Sequence, residues 1–140
     1  MNPASALLLA TLLLESSGQA RDAPPTAVTH KLQSLAGSDS RDCGVVALHD
    51  KPDAAIACAK QAMASGNAYR LAIQFQGTDS IVWQGAARDA QGKLWALFYD
   101  PGPASGPDAG KTLSVVLCRE IVFATEGDDV IVCKPTLGQP

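Results

Sequence analysis

The chain has 140 residues, 11 of them Lys or Arg and 14 Asp or Glu, for a formal net charge of −3, and 46% of its residues are hydrophobic. This near-neutral balance, with no Lys/Arg cluster, provides no electrostatic footprint for nucleic acid or an anionic membrane. The length fits one domain with short appendages, a size at which a core is feasible but benefits from covalent staples.

Residues 6–14 form an unbroken run of Ala, Leu and Thr, ended by Glu15 and followed by small polar residues up to Ala20. About nine apolar residues are too few to span a bilayer, yet they suit the core of a secretory signal peptide. Gly18 and Ala20 fit the −3 and −1 sites of a signal peptidase, so residues 1–20 read as a signal. Its start departs from the usual form, because residues 1–5 contain no Lys or Arg. The expected destination is the periplasm or the cell exterior. No stable membrane span is expected after cleavage.

Residues 21–41 are polar and punctuated by Pro24-Pro25 and Gly37. They read as a flexible tether with room for one weak helical turn between Ala27 and Leu35. The packed domain is then expected over residues 42–134, with a loose tail over 135–140.

Four cysteines follow the signal: Cys43, Cys58, Cys118 and Cys133. An even count in an exported chain reads as a disulfide framework. Of the three possible pairings, Cys43–Cys58 with Cys118–Cys133 is favoured, because each pair flanks one compact unit. Each would close a loop of about fifteen residues and contribute roughly 3 kcal/mol in the chain-entropy view. Zinc fits poorly, since there is no C-x-x-C and His30 and His49 lie far apart.

Residues 51–65 predict a helix. Asp50 is placed to cap it, Pro52 falls in its first turn, alanines fill its body, and Gly66 suits the C′ position. Ala55, Ile56, Ala59, Ala62 and Met63 share one stripe, with Cys58 on its flank.

Residues 68–76 alternate, as a strand should, and strands are also expected over 80–89 and 93–99. Gly77-Thr78-Asp79 reads as a three-residue hairpin loop and Ala90-Gln91-Gly92 as a type I turn closed by a glycine bulge. Counting from those loops pairs Gln76 with Ser80 and Asp89 with Lys93. One face then holds Tyr69, Leu71, Ile73, Phe75, Ile81, Trp83, Gly85, Ala87, Trp95, Leu97 and Tyr99, and the alanine-lined helix is its expected lid. Residues 113–118 predict a fourth strand, and 121–125 with 130–133 a closing hairpin. The fold class is therefore α+β: one N-terminal helix on an antiparallel four- to five-stranded meander with two disulfides. Over residues 50–118 this order resembles the cystatin-like and PepSY-like architectures in topology. The inhibitory Gln-x-Val-x-Gly segment of cystatins is absent, so that activity is not implied.

Candidate sites are sparse. Residues 106–112 look like a phosphate-binding loop but have three residues between the glycines instead of four, and a strand pattern follows them. Trp83, Trp95 and Tyr99 could stack on a sugar, although aromatics at such positions more often form core. The opposite face carries Val82, Leu94, Ala96 and Phe98 where water is expected, with Gln74, Gln76 and Gln84 around them. It is either a partner-binding patch or ground covered by the C-terminal hairpin. The loop over 100–110 brings Pro101, Pro103 and Pro107 and suits adaptable contacts. The partner-binding candidates are thus Gln74, Val82, Gln84, Leu94, Phe98, Pro101, Pro103 and Pro107.

No nucleophile-elbow or zinc-protease motif is present, and no cofactor or metal is indicated. Glu120, Glu126, Asp128 and Asp129 could form a carboxylate group near the last hairpin, where Asp128-Asp129 reads as turn chemistry more than as a calcium site. Two functions remain open at this level. One is a non-enzymatic exported binding module of the bacterial cell envelope, an inhibitor, immunity-type or assembly accessory protein with a protein partner. The other is a small exported hydrolase-type enzyme built on scattered residues such as Asp79 or Glu120 with His49.

Overall fold

A computed structural model describes residues 24–102, 111–124 and 129–138. In chain order the elements are α1 (Thr26–Ala36), β1 (Arg41–Val46), α2 (Asp53–Ala64), β2 (Tyr69–Gln76), β3 (Ile81–Arg88), β4 (Leu94–Asp100), β5 (Thr112–Phe123) and β6 (Ile131–Pro135). The six strands form one sheet in sequence order; β1 runs parallel to β2 and every other pair is antiparallel. The α+β class and the two disulfides hold. The expectation of one helix on a four- to five-stranded antiparallel meander is corrected to two helices on a six-stranded mixed sheet.

Two turns decide which side chains share a face. The β3–β4 turn has the expected three-residue loop. Asp89 N–H donates to Lys93 O at 3.0 Å, and the Asp89 carboxylate accepts from the N–H groups of Gln91 and Lys93. Gly92 takes φ +88°, a conformation that glycine reaches without steric cost. The β2–β3 turn is different. Gly77 N–H donates to Ser80 O at 2.8 Å, leaving only Thr78 and Asp79 across the tip, and Gln76 pairs with Ile81. The register is one residue from the expected one, and side chains alternate with a period of two, so all of β2 is turned over relative to β3.

The consequence is a sheet with two apolar faces. Tyr69, Leu71 and Ile73 lie beside Val82, Gln84 and Ala86, while Trp83, Gly85 and Ala87 share the other face with Ala72, Trp95, Leu97 and Tyr99. Each face needs its own lid. The alanine stripe of α2 covers the first, with Ala55, Ile56, Ala59 and Ala62 packed in one core with Tyr69, Leu71 and Ile73. The tryptophans lie under α1 instead, where Val28, Leu32 and Ala36 pack with Trp83, Ala87, Leu97 and Tyr99. The segment expected to be a tether therefore contains a docked helix. Its anchors recur every four residues, and Val28 is fully buried.

Local chemistry fixes the ends of α2. No side chain caps its start, so the expected Asp50 cap is absent. At its end Gly66 has φ +72°, Asn67 N–H donates to Ala62 O, and Gly66 N–H donates to Met63 O, which is a Schellman closure. Arg88 donates to Gly66 O and Arg41 to the Gln61 side chain, so two cations sit where the helix dipole is negative. Cys43 of β1 bonds Cys58 of α2, and Cys118 of β5 bonds Cys133 of β6, as the spacing suggested.

α1 comes close to the sheet at Gly85, where an added Cβ would stand 2.8 Å from Leu32 Cδ2 and 3.3 Å from Leu32 Cγ. Gly85→Ala is expected to destabilise the chain by about 1–3 kcal/mol through overpacking. Denaturant unfolding of Gly85→Ala, Leu32→Ala and the double variant checks this. The double variant should lose less than the sum of the two single losses.

Candidate functional site

The sheet curls toward the α2 side. β5 pairs with β4 up to Cys118, is irregular between Cys118 and Glu120, and then pairs with β6. Across the bend β6 returns over the same sheet. Ile131 N–H donates to Gln84 Oε1 at 3.0 Å, and Gln84 Nε2 donates to the Asp129 carboxylate at 2.9 Å. One buried amide on β3 thus holds the last hairpin. Losing it would strand a buried donor, which costs about 1–3 kcal/mol.

Beside this clamp a groove of about 110 Å³ remains, lined by Ala96, Phe98, Ser114, Val116, Ile131 and Cys133. That volume is well below the roughly 300 Å³ at which small-molecule sites begin. It suits one or two side chains of a larger partner. Phe98 and Val116 are diagonal neighbours across β4 and β5, 37% and 40% exposed. Phe75 stands next to Phe98 with ring centroids 6.2 Å apart, which continues the apolar ledge into β2.

The candidate residues separate accordingly. Val82 and Gln84 lie on the curled face but are buried. Gln74 falls on the opposite face, also buried, where its carbonyl accepts from Leu48 N–H. These two glutamines tie loops to the sheet from inside, so neither presents its side chain to a partner. Leu94 is half-buried against the α2 core. Phe98 is exposed, and Pro101 is partly so. Pro103 and Pro107 lie outside the described residues, as do Glu126, Asp128 and the signal segment. Nothing local in the sequence marks Val116 or Phe75 as part of this surface, because their place on the ledge depends on the bend of β5 and the register of β2. Thr112, which would open a helix in a phosphate-binding loop, opens a strand.

The ionisable residues proposed for an enzyme are not brought into one cluster. His49 is in the loop after β1 and Asp79 is at the β2–β3 tip, both exposed. Glu120 is on β5 and accepts a 2.7 Å hydrogen bond from Lys134, which with the ammonium charge holds its carboxyl below the usual range. Among the described residues no group of three His, Cys, Asp or Glu side chains is placed to hold a metal ion, and no helix is long and apolar enough to cross a membrane. Comparison with protein-family models, with curated proteins and with solved structures finds no match.

One titration is strongly displaced. Tyr69 is fully buried under α2, and its hydroxyl has no hydrogen-bond partner among the described residues. Burial pushes the phenol up to about 12, opposed by the nearby Arg88 charge. The folded state then keeps a proton that the unfolded chain releases near pH 10, so stability present below pH 10 is lost as pH rises toward 12. The expected slope is roughly 1.4 kcal/mol per pH unit across that window. Tyr69→Phe should flatten that part of the profile in rapid denaturant titrations and leave neutral-pH stability equal or higher. An unchanged alkaline slope would contradict the assignment.

Proposed function

We propose that the chain is a non-enzymatic binding module, exported to the periplasm or cell exterior, that meets a protein partner through the ledge at Phe75, Phe98 and Val116. The observation that carries this reading is the pair Phe98 and Val116. These are large apolar side chains left open on the curled face, where α2 and the last hairpin cover neighbouring positions. Aromatic side chains are enriched at the centres of protein contacts, and Phe98 stands beside a small groove that can receive a partner's side chain. Two disulfides suit an oxidising compartment, and the leader at residues 1–20 supports export. An inhibitor, an immunity-type protein or an assembly accessory would each use such a surface. Enzymatic hydrolysis is the weaker reading, because His49, Asp79 and Glu120 occupy separate parts of the fold.

The test uses the oxidised mature chain as bait in periplasmic extract, beside Phe98→Asp and the exposed control Val45→Asp on β1. Phe98→Asp should lose the captured partner by about tenfold or more, while the control retains it and both keep the parental circular dichroism. Equal capture by Phe98→Asp and the parent would reject the ledge as the contact.

A further inference from the structure

Among the described residues the sheet has three edge segments, two that carry blocking features and a third that does not. β1 forms the first. Its pairing with β2 is interrupted between Asp42 and Val45, Gly44 takes φ +95°, and the Asp42 carboxylate accepts from Gly44 N–H at 2.9 Å. β6 forms the second. Its Ile131 N–H is taken by Gln84, and Pro135 has no N–H to offer. Bulges, side-chain plugs and prolines of this kind prevent unwanted strand pairing.

The third edge is the first half of β5. β6 joins β5 only from Cys118 onward, so among the described strands residues 112–117 pair in the sheet with β4. The direction of their main-chain groups follows from the ladder. Asp89 and Lys93 form a hydrogen-bonded pair, and antiparallel strands alternate bonded and non-bonded pairs. Counting across β3 and β4 turns Thr112, Ser114 and Val116 inward to β4, and Leu113, Val115 and Leu117 outward. No described residue hydrogen-bonds to the outward groups of those three. The six residues include no charge, proline or glycine, and Leu113 and Val116 are 41% and 40% exposed. An uncharged, β-branched, unblocked edge is a template for another strand.

We propose that this edge pairs with the same edge of a second copy, antiparallel about a two-fold axis at Ser114, joining the two six-stranded sheets into one. The pairing is self-complementary. Leu113 faces the second copy's Val115, both with outward donors and acceptors, so on the order of four inter-chain main-chain hydrogen bonds form. Like charge never meets like charge, because Lys111 faces the second copy's Leu117. Moving the axis to Val115 would set Lys111 against the second copy's Arg119. It would also drive Thr112 toward the second copy's Cys118, whose outer side is occupied by Pro135. A second copy satisfies every one of these positions at once, whereas an unrelated strand has no such constraint. Val116 is shared with the ledge, but the pairing rests on the main chain of β5 and Phe98 lies one strand inward, so Phe98→Asp tests the ledge alone.

Sedimentation equilibrium of the oxidised mature chain tests it. The parent should sediment as two chains at micromolar concentration, and Phe98→Asp should do the same. Ser114→Lys places two like charges directly opposite and should weaken association by about tenfold or more. Val115→Pro removes an outward donor without touching the bonds to β4 and should also yield single chains. At a non-bonded pair facing Cα atoms are about 4.5 Å apart, so Ser114→Cys should form an inter-chain disulfide in air. A parent that stays a single chain overturns the proposal. So does a dimer that persists in both Ser114→Lys and Val115→Pro, and failure of Ser114→Cys to cross-link overturns the axis at Ser114.

Discussion

The contact on which the molecule depends is the hydrogen-bonded pair between Gly77 and Ser80 that closes the β2–β3 turn. It is reinforced locally, since the Gln76 amide donates to Gly77 O and the Ser80 hydroxyl donates to the Asp100 carboxylate on the neighbouring strand. One more residue in that turn would place Tyr69, Leu71, Ile73 and Phe75 on the tryptophan face and leave the other face polar enough for water. With the tighter turn both faces are apolar, and the chain must supply two lids. It does so with α1 over Trp83 and Leu97, and α2 over Tyr69 and Ile73. A three-layer arrangement in so short a chain follows from that requirement.

Small helices and short edges hold such an arrangement weakly, and covalent links sit where it is weakest. β1 touches the sheet through one irregular parallel pairing, and Cys43–Cys58 fastens it to α2. The bend in β5 would otherwise leave β6 held by a few main-chain bonds and the Gln84 clamp, and Cys118–Cys133 bridges it. Each link closes fifteen residues of chain, worth roughly 3 kcal/mol against the unfolded ensemble. The Arg70 guanidinium adds a third tie by bonding Ser40 O, Ser40 Oγ and the Asp42 carboxylate, which holds the α1–β1 junction to β2.

How much of this the sequence discloses depends on whether the determinant is local. The alanine stripe of α2, its Gly66 terminus, the Asp89 turn and both disulfide pairings are legible because neighbouring residues decide them. The β2–β3 turn is not, since Gly77-Thr78-Asp79-Ser80 accepts either loop length and the choice rests on what covers each face. α1 reads as no more than one weak turn in a tether because Pro24-Pro25 precedes it, no side chain caps it, and no acidic residue supports its first turn. Only the spacing of Val28, Leu32 and Ala36 betrays it. At the site, Phe98 is legible as an apolar residue on the face expected to meet water. Gln74 and Gln84 look like surface amides, and their role as internal acceptors depends on loops that arrive from distant sequence.

The two surfaces left open, the ledge at Phe98 and the bare half of β5, both inherit their positions from the strand pairing set at the first turn. A through-space proton contact between strands measures that pairing directly, because facing residues of a non-bonded antiparallel pair bring their Hα atoms together. In the observed register Gln74 and Trp83 form such a pair. A nuclear Overhauser spectrum of the oxidised protein should therefore show a strong Gln74 Hα to Trp83 Hα cross-peak. A strong Hα cross-peak between Ile73 and Trp83 in its place would contradict the register, and with it both lids and both surfaces.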